Sequence, residues 1–228
     1  MKFGLRALAL AMLMLAAATA ASADSLTLVN GGNYTMGGVY VGPYNFSGTI
    51  NGQNVSLQLI CDDFKSDVTT GETWNVNVST VPSPFSTLGT PSQYQQVSYL
   101  AELIFGLDPN SSGYGQTLGE LQWAIWNVFD PGVGVTSGNP DPYGTLTSTQ
   151  ISAIQGYITQ AQNNAGLPGN NYANLLVYTP IAGTQTPAWN GLPQEYIGDP
   201  PANAPEPGTM LLMGAGFAGL LLFRRLSF

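Results

Sequence analysis

The chain contains one cysteine, Cys61, and no histidine. A lone cysteine has no internal disulfide partner, so it is inert, intermolecular or chemically employed. Free cysteine is commonly a small buried hydrophobe. The absence of histidine removes Ser-His-Asp and Cys-His catalysis, histidine-ligated zinc, and the side chain best suited to proton transfer near neutrality. A second residue stands out. Leu118, Leu121, Gln122, Ile125 and Phe129 recur at i, i+3, i+4, i+7 and i+11, which places Gln122 on the apolar stripe of a helix. A buried carboxamide without partners costs about 1–3 kcal/mol. Gln122 therefore bonds to backbone groups or water, or its carbonyl carbon meets the Cys61 sulfur.

The elements that must position these two residues follow from periodicity. Val55, Leu57, Leu59 and Cys61 alternate with Ser56 and Gln58, so Cys61 falls in phase with the core. Strands are expected over residues 25–29, 38–44, 46–50, 55–60, 73–81 and 175–181. The Asn51-Gly52 pair between two of them is the strongest short signal for a tight hairpin. Helices are expected over about 92–105, 118–129 and 149–163, with residues 106–116 as a loop and Ser148 or Thr149 as the last helix's N-cap. Residues 131–144 form a Gly/Pro-rich loop. Early strands, an inserted helical group and a late strand indicate an α+β fold, a sandwich or barrel with a small inserted helical lobe.

Other constellations are weaker. Asp62, Asp63 and Asp67 carry hard oxygens suited to Ca²⁺, but Asp62 and Asp63 point to opposite faces of a continuing strand, and a solvated loop start accounts for them. No spacing singles out a carboxylate pair for glycoside hydrolysis among the 13 acidic residues. No metal ligand set and no cofactor motif is found, and enzymatic turnover is not expected.

Composition sets the surroundings. The 228 residues are 44% hydrophobic and 11% aromatic but only 8% charged, with 28 Gly and 16 Pro and a net charge of -8. Such a chain can bury a core while Ser, Thr, Asn, Gln and Gly solvate its surface. Of the five basic residues, Lys2 and Arg6 stand at one end and Arg224 and Arg225 at the other, leaving Lys65 alone between. Phosphate backbones would be repelled, which excludes nucleic-acid binding.

Both termini read as addresses. Residues 1–23 combine a basic start, an apolar stretch over 7–18 and Ala21-Ser22-Ala23, the layout of a secretory signal cleaved before Asp24. Residues 24–199 form the secreted domain. Residues 200–228 hold a proline-rich linker, Pro205-Glu206-Pro207, an apolar run over 210–223 and the pair Arg224-Arg225. The run is short for a helix crossing a ~30 Å hydrocarbon core, and the flanking arginines place the C-terminus on the cytoplasmic side.

This C-terminal arrangement resembles the PEP-CTERM sorting signal of Gram-negative bacteria. The resemblance implies recognition and processing by an exosortase, transient inner-membrane anchoring through the C-terminal helix, and delivery to the cell surface or extracellular matrix. A second resemblance concerns the interior. Ile60-Cys61-Asp62 and Leu121-Gln122-Trp123-Ala124-Ile125-Trp126 are similar to the two signatures of thioester domains in bacterial surface adhesins, with Leu121 standing where Thr is usual. In that family the cysteine sulfur attacks the glutamine carboxamide and ammonia leaves. The resemblance implies that Cys61 donates the sulfur and Gln122 the acyl group, within a β-barrel or sandwich carrying a helical insertion. Asp62 and Glu120 are candidate acid or base groups assisting that bond. The expected function is covalent adhesion to an amine-bearing protein or matrix component; the alternative is a non-reactive structural or carbohydrate-associated matrix protein with a free buried Cys61.

Overall fold

The computed structural model describes residues 23–136, 146–187 and 191–199. The expected signal peptide, the C-terminal apolar helix, Pro205, Glu206, Pro207, Arg224 and Arg225 lie outside the described residues.

Eight strands and three helices are described. In chain order they are β1 (Ser25–Asn30), β2 (Tyr34–Met36), β3 (Val39–Val41), β4 (Tyr44–Ile50), β5 (Gln53–Cys61), β6 (Thr73–Thr80), α1 (Pro91–Phe105), α2 (Tyr114–Phe129), α3 (Ser148–Asn164), β7 (Leu176–Pro180) and β8 (Tyr196–Gly198). Six strands close an antiparallel barrel in the order β1-β4-β5-β8-β7-β6, with β6 returning to β1. Closure gives every barrel strand a neighbour on both sides. The fold is α+β, and the helices are inserted between β6 and β7.

Alternation builds the barrel interior. Leu26 and Leu28 of β1, Phe46 of β4, Leu57 and Leu59 of β5, and Trp74 and Val76 of β6 are all buried, as a half-buried strand of period two requires. Phe46, Trp74 and Tyr196 form the aromatic centre, with the Phe46 and Tyr196 rings 4.6 Å apart and tilted 68°. Asn51 and Gly52, with φ of 51° and 74°, make the β4–β5 turn, the left-handed pair that matches strand twist.

The helices begin where side chains capture free backbone N–H groups. Thr90 caps α1 in a reciprocal box with Gln93, and Thr147 caps α3 with Gln150, each satisfying donors that the helix itself leaves unpaired. The expected cap at Ser148 or Thr149 is thus displaced to Thr147, because Gln150 stands three residues after it. Helix α2 is buried continuously from Leu118 to Val128, since α1, α3 and the β2–β3 hairpin all pack on it. Its first turn extends back to Tyr114, shortening the expected loop. Gly115 and Gly119 let the hairpin approach: a Cβ on either would lie 2.5 Å from the Tyr34 ring or 2.7 Å from the Met36 methyl.

One strand expectation is corrected, and β2 and β8 lie outside the expected set. The segment 38–44 is two strands rather than one, with β3 pairing the short β2 and β4 starting at Tyr44. The three-residue β8 slots between β5 and β7 and completes the closure. Three residues are too few to show a period.

Candidate functional site

Cys61 is the last residue of β5 and has no solvent exposure. Its register brings Sγ to the inner side of the barrel, as the alternation with Leu57 and Leu59 requires. The thiol donates a 3.2 Å hydrogen bond to the Asp63 carbonyl oxygen. Burial pushes the thiol well above its ordinary range, and the Asp62 and Asp63 carboxyls add to the rise. The sulfur is therefore held protonated. The indole N–H of Trp126 lies near enough to favour the anion, without hydrogen-bonding geometry.

Gln122 projects from the middle of α2 and is likewise wholly buried. Its Nε2 donates to the Cys61 carbonyl oxygen at 2.6 Å, and its Oε1 accepts from the Gly42 N–H at 3.3 Å. These bonds answer the demand that a buried carboxamide be satisfied. They also bring the Gln122 side chain onto the backbone of the cysteine residue. A single N–H aimed at the carbonyl oxygen is the kind of donor that stabilises charge developing there during acyl transfer.

Of the two candidate assisting groups, the structure sets one beside this pair and holds the other apart. Asp62 follows Cys61 directly and is fully buried, with neither carboxyl oxygen hydrogen-bonded to any described residue. The expectation of a solvated loop start is overturned for Asp62 and Asp63, which are buried, and holds for Asp67, which is exposed. Burial, with Glu195 and Asp63 nearby, raises the Asp62 carboxyl well above the usual carboxylate range. Glu120 is also buried, but its carboxylate accepts from Gln116 Nε2 at 2.9 Å and acts on Tyr157 of α3. Two residues along a helix is about 200° of rotation, so Glu120 and Gln122 leave α2 on opposite sides.

Sequence reasoning missed Glu195. Immediately before β8, its carboxyl accepts from Tyr94 of α1 at 2.5 Å and from Thr179 of β7 at 2.6 Å. The Tyr94 hydroxyl also bonds to Ser86. The backbone joins the same corner, the Asp62 N–H donating to the Glu195 carbonyl at 3.3 Å. Burial raises the Glu195 carboxyl, against the opposing pull of its Thr179 and Tyr94 donors. Two acids beside one another in a dry corner disfavour double ionisation. The three aspartates do not gather for a cation: Asp63 Oδ1 accepts from the Lys65 and Ser66 backbone, Asp67 Oδ1 from Val68, and no metal-ligand cluster occurs among the described residues.

A cleft of ≈ 350 Å³ shares Tyr44 and Trp126 with the surroundings of Cys61. The buried Tyr44 and Trp126 line it together with the exposed Tyr40 of β3 and with Phe64, Ser66, Asp67, Val68 and Thr70. Phe64 lies against both indoles of α2, 5.3 Å from the Trp123 ring and 5.1 Å from that of Trp126. Tyr44 spans the distance between cleft and sulfur. Its hydroxyl donates to the Tyr40 carbonyl at 2.9 Å, and it is raised first by burial, then by Cys61 and Asp67.

Comparison with known proteins adds an address and a fold-level likeness. Residues 203–225 match the PEP-CTERM protein-sorting motif, which marks the chain as exported and membrane-transiting. Among the described residues no helix is long and apolar enough to cross a membrane. No curated protein matches the sequence. The structure is similar to the N-terminal thioester domain of fibronectin-binding protein SfbI from Streptococcus pyogenes, at 10% identity and a TM-score of 0.39, covering 76% of this chain and 91% of that one. It is also similar to the N-terminal thioester domain of a protein F2 like fibronectin-binding protein from Streptococcus pneumoniae, at 12% identity and a TM-score of 0.38, covering 78% and 90%.

Proposed function

We propose that the secreted domain forms an internal thioester between Cys61 Sγ and Gln122 Cδ, and that this bond captures amines covalently at the cell surface. The observation that carries the reading is the 2.6 Å bond from Gln122 Nε2 to the Cys61 carbonyl, which seats a buried carboxamide on the chain's one cysteine. The Cys-Asp and Gln-Trp-Ala-Ile-Trp words and the sorting motif at 203–225 support the same reading from outside the geometry.

The chemistry balances within the pair. The sulfur attacks the carboxamide carbon, the C–N bond breaks, and the nitrogen leaves as ammonia with the thiol proton. The Gly42 N–H steadies the oxygen as it takes up charge. Burial then protects the thioester from water until an amine arrives. The amine adds to the same carbon and forms an amide, and Cys61 departs as a thiol. One bond is made per molecule, so the protein acts as a single-use adhesive and does not turn over. Processing by an exosortase-type protease, with the C-terminus cytoplasmic beforehand, completes the proposal.

A second reading has its own support. Gly42 and Cys61 satisfy the Gln122 carboxamide on both sides, which suffices for a structural glutamine in a non-reactive matrix protein. Intact mass of the purified chain separates the two. The thioester predicts a deficit of one ammonia and methylamine incorporation at Gln122, both abolished in Cys61→Ala and in Gln122→Ala. An undiminished mass with no incorporation leaves the structural reading.

A further inference from the structure

Tyr40 is 58% exposed in the lining of the cleft, although large aromatic side chains normally seek cover. Around it the cleft presents the rings of Tyr44, Phe64 and Trp126 and the polar side chains of Asn30, Ser66, Thr70 and Gln194. Asp67 is the one acidic residue in the lining, which holds no lysine or arginine. Its Oδ1 accepts from Val68 N–H, leaving its second carboxylate oxygen for a ligand. A cation is favoured here and an anion is not. The volume falls at the lower end of small-molecule sites, and such sites combine apolar walls with a few convergent polar groups.

The reacting end narrows the choice of cation. The domain has no histidine, and of the two carboxyls that act on the sulfur, Asp62 is held toward its protonated form while Asp63 is engaged by the Lys65 and Ser66 backbone N–H groups. An amine must therefore arrive already neutral. Amines beside electron-withdrawing groups titrate near ~8 and lysine near ~10.4, so the weaker base has roughly 200 times the neutral fraction at pH 7. Flat aromatic walls flanked by hydroxyl and amide groups fit the alternating C–H faces and hydroxyls of a sugar ring, and a ring-borne 2-amine is a weak base of this kind.

We propose that the cleft binds an amino sugar of a glucosamine-type polysaccharide, its ring against Tyr40 and Phe64 and its ammonium first met by Asp67. The covalent step rests on the thioester reading. The neutral amine passes the wall formed by Tyr44 and Trp126 and adds to the Gln122 acyl carbon. The C–S bond breaks, and Cys61 sulfur takes the electron pair and the proton the nitrogen gives up.

The full chain is incubated at pH 7 with a glucosamine tetramer, its fully N-acetylated form, a lysine-containing peptide and methylamine, and followed by intact mass. The expected result is an adduct with the glucosamine tetramer forming at least tenfold faster than with the lysine peptide, and none with the N-acetylated form. The ratio of tetramer to methylamine rates falls at least tenfold in Asp67→Asn and in Tyr40→Ala. Equal rates for tetramer and lysine peptide, or an unchanged ratio in both variants, overturn the proposal. A chain that shows no ammonia deficit sinks the thioester reading alone. Calorimetry of the tetramer on Cys61→Ala then decides the cleft: affinity weakened at least tenfold by adding Tyr40→Ala upholds it, and absent binding overturns it.

Discussion

The two sides of the Cys61 strand end are built to opposite rules. On the cleft side, the side chains are aromatic and polar, a short hairpin and a loop supply them, and solvent reaches Tyr40 and Asp67. On the acid side, α1, β7 and the residue preceding β8 converge on Glu195, and Asp62 lies dry beside it. One side has a cleft open to solvent; the other has a buried hydrogen-bonded network. A buried reactive bond needs both conditions, a rigid floor to hold its geometry and a softer wall through which a partner arrives.

The acid side should be the more costly to disturb. Glu195→Ala removes the acceptor shared by Tyr94 and Thr179, leaves those hydroxyls only Ser86 and Ser83 as partners and opens a void, an expected loss of about 3 kcal/mol by urea unfolding. The same truncation at Asp67, on the cleft side, should change stability by less than ~0.5 kcal/mol, as surface substitutions do. Comparable losses at the two positions would erase the contrast.

Titration tests the same corner. The folded-state pKa values of Asp62 and Glu195 are raised, so the folded chain holds protons that the unfolded chain has released. Their contribution to stability is complete below the unfolded value, near ~4, and is lost as pH rises through the folded values. Within that window each proton weakens the fold by about 1.4 kcal/mol per pH unit. Asp62→Asn should flatten the decline in urea midpoint on the alkaline limb, and an unaltered slope would show that Asp62 is not the group being held protonated.

Gly42 sharpens the comparison from the cleft side. A Cβ there would stand 3.0 Å from the Tyr44 ring and 3.2 Å from Gln122 Oε1, which pushes the carboxamide off its N–H donor. Gly42→Ala should slow formation of the ammonia-deficient species about tenfold, equivalent to ~1.4 kcal/mol in the barrier, with the fold retained by circular dichroism. Formation at the wild-type rate would mean that this N–H does not assist.

What could be read beforehand follows the same division. Cys61 and Gln122 were legible because each sits in a regular element whose period, two for β5 and 3.6 for α2, exposes its phase. Glu195 was not, since it precedes a three-residue strand and its partner Tyr94 is 101 positions away. Asp62 was misread because two adjacent aspartates after a strand suggest solvent, and only the helical layer folding over the rim denies it. Tyr40 and Asp67 come from a short hairpin and a loop, where no periodicity marks a shared wall.

The smallest expected effect concerns the one lysine between the two termini. Lys65 stands between Phe64 and Ser66 of the cleft, yet its Nζ reaches Asp130 at 3.3 Å, just past the end of α2, with its side chain 71% exposed. An exposed pair of this kind contributes well under ~1 kcal/mol, so Lys65→Ala should leave unfolding nearly unchanged. Its value lies in mass rather than stability. An internal amide between Lys65 and Gln122 would expel one ammonia just as a thioester does, and intact mass alone does not separate them. With Nζ drawn out to Asp130 and the Gln122 carboxamide wholly buried, the deficit should survive Lys65→Ala and remain open to methylamine. Loss of the deficit in that variant would replace the reactive thioester with an inert internal crosslink, and the cleft would then lead to nothing that reacts.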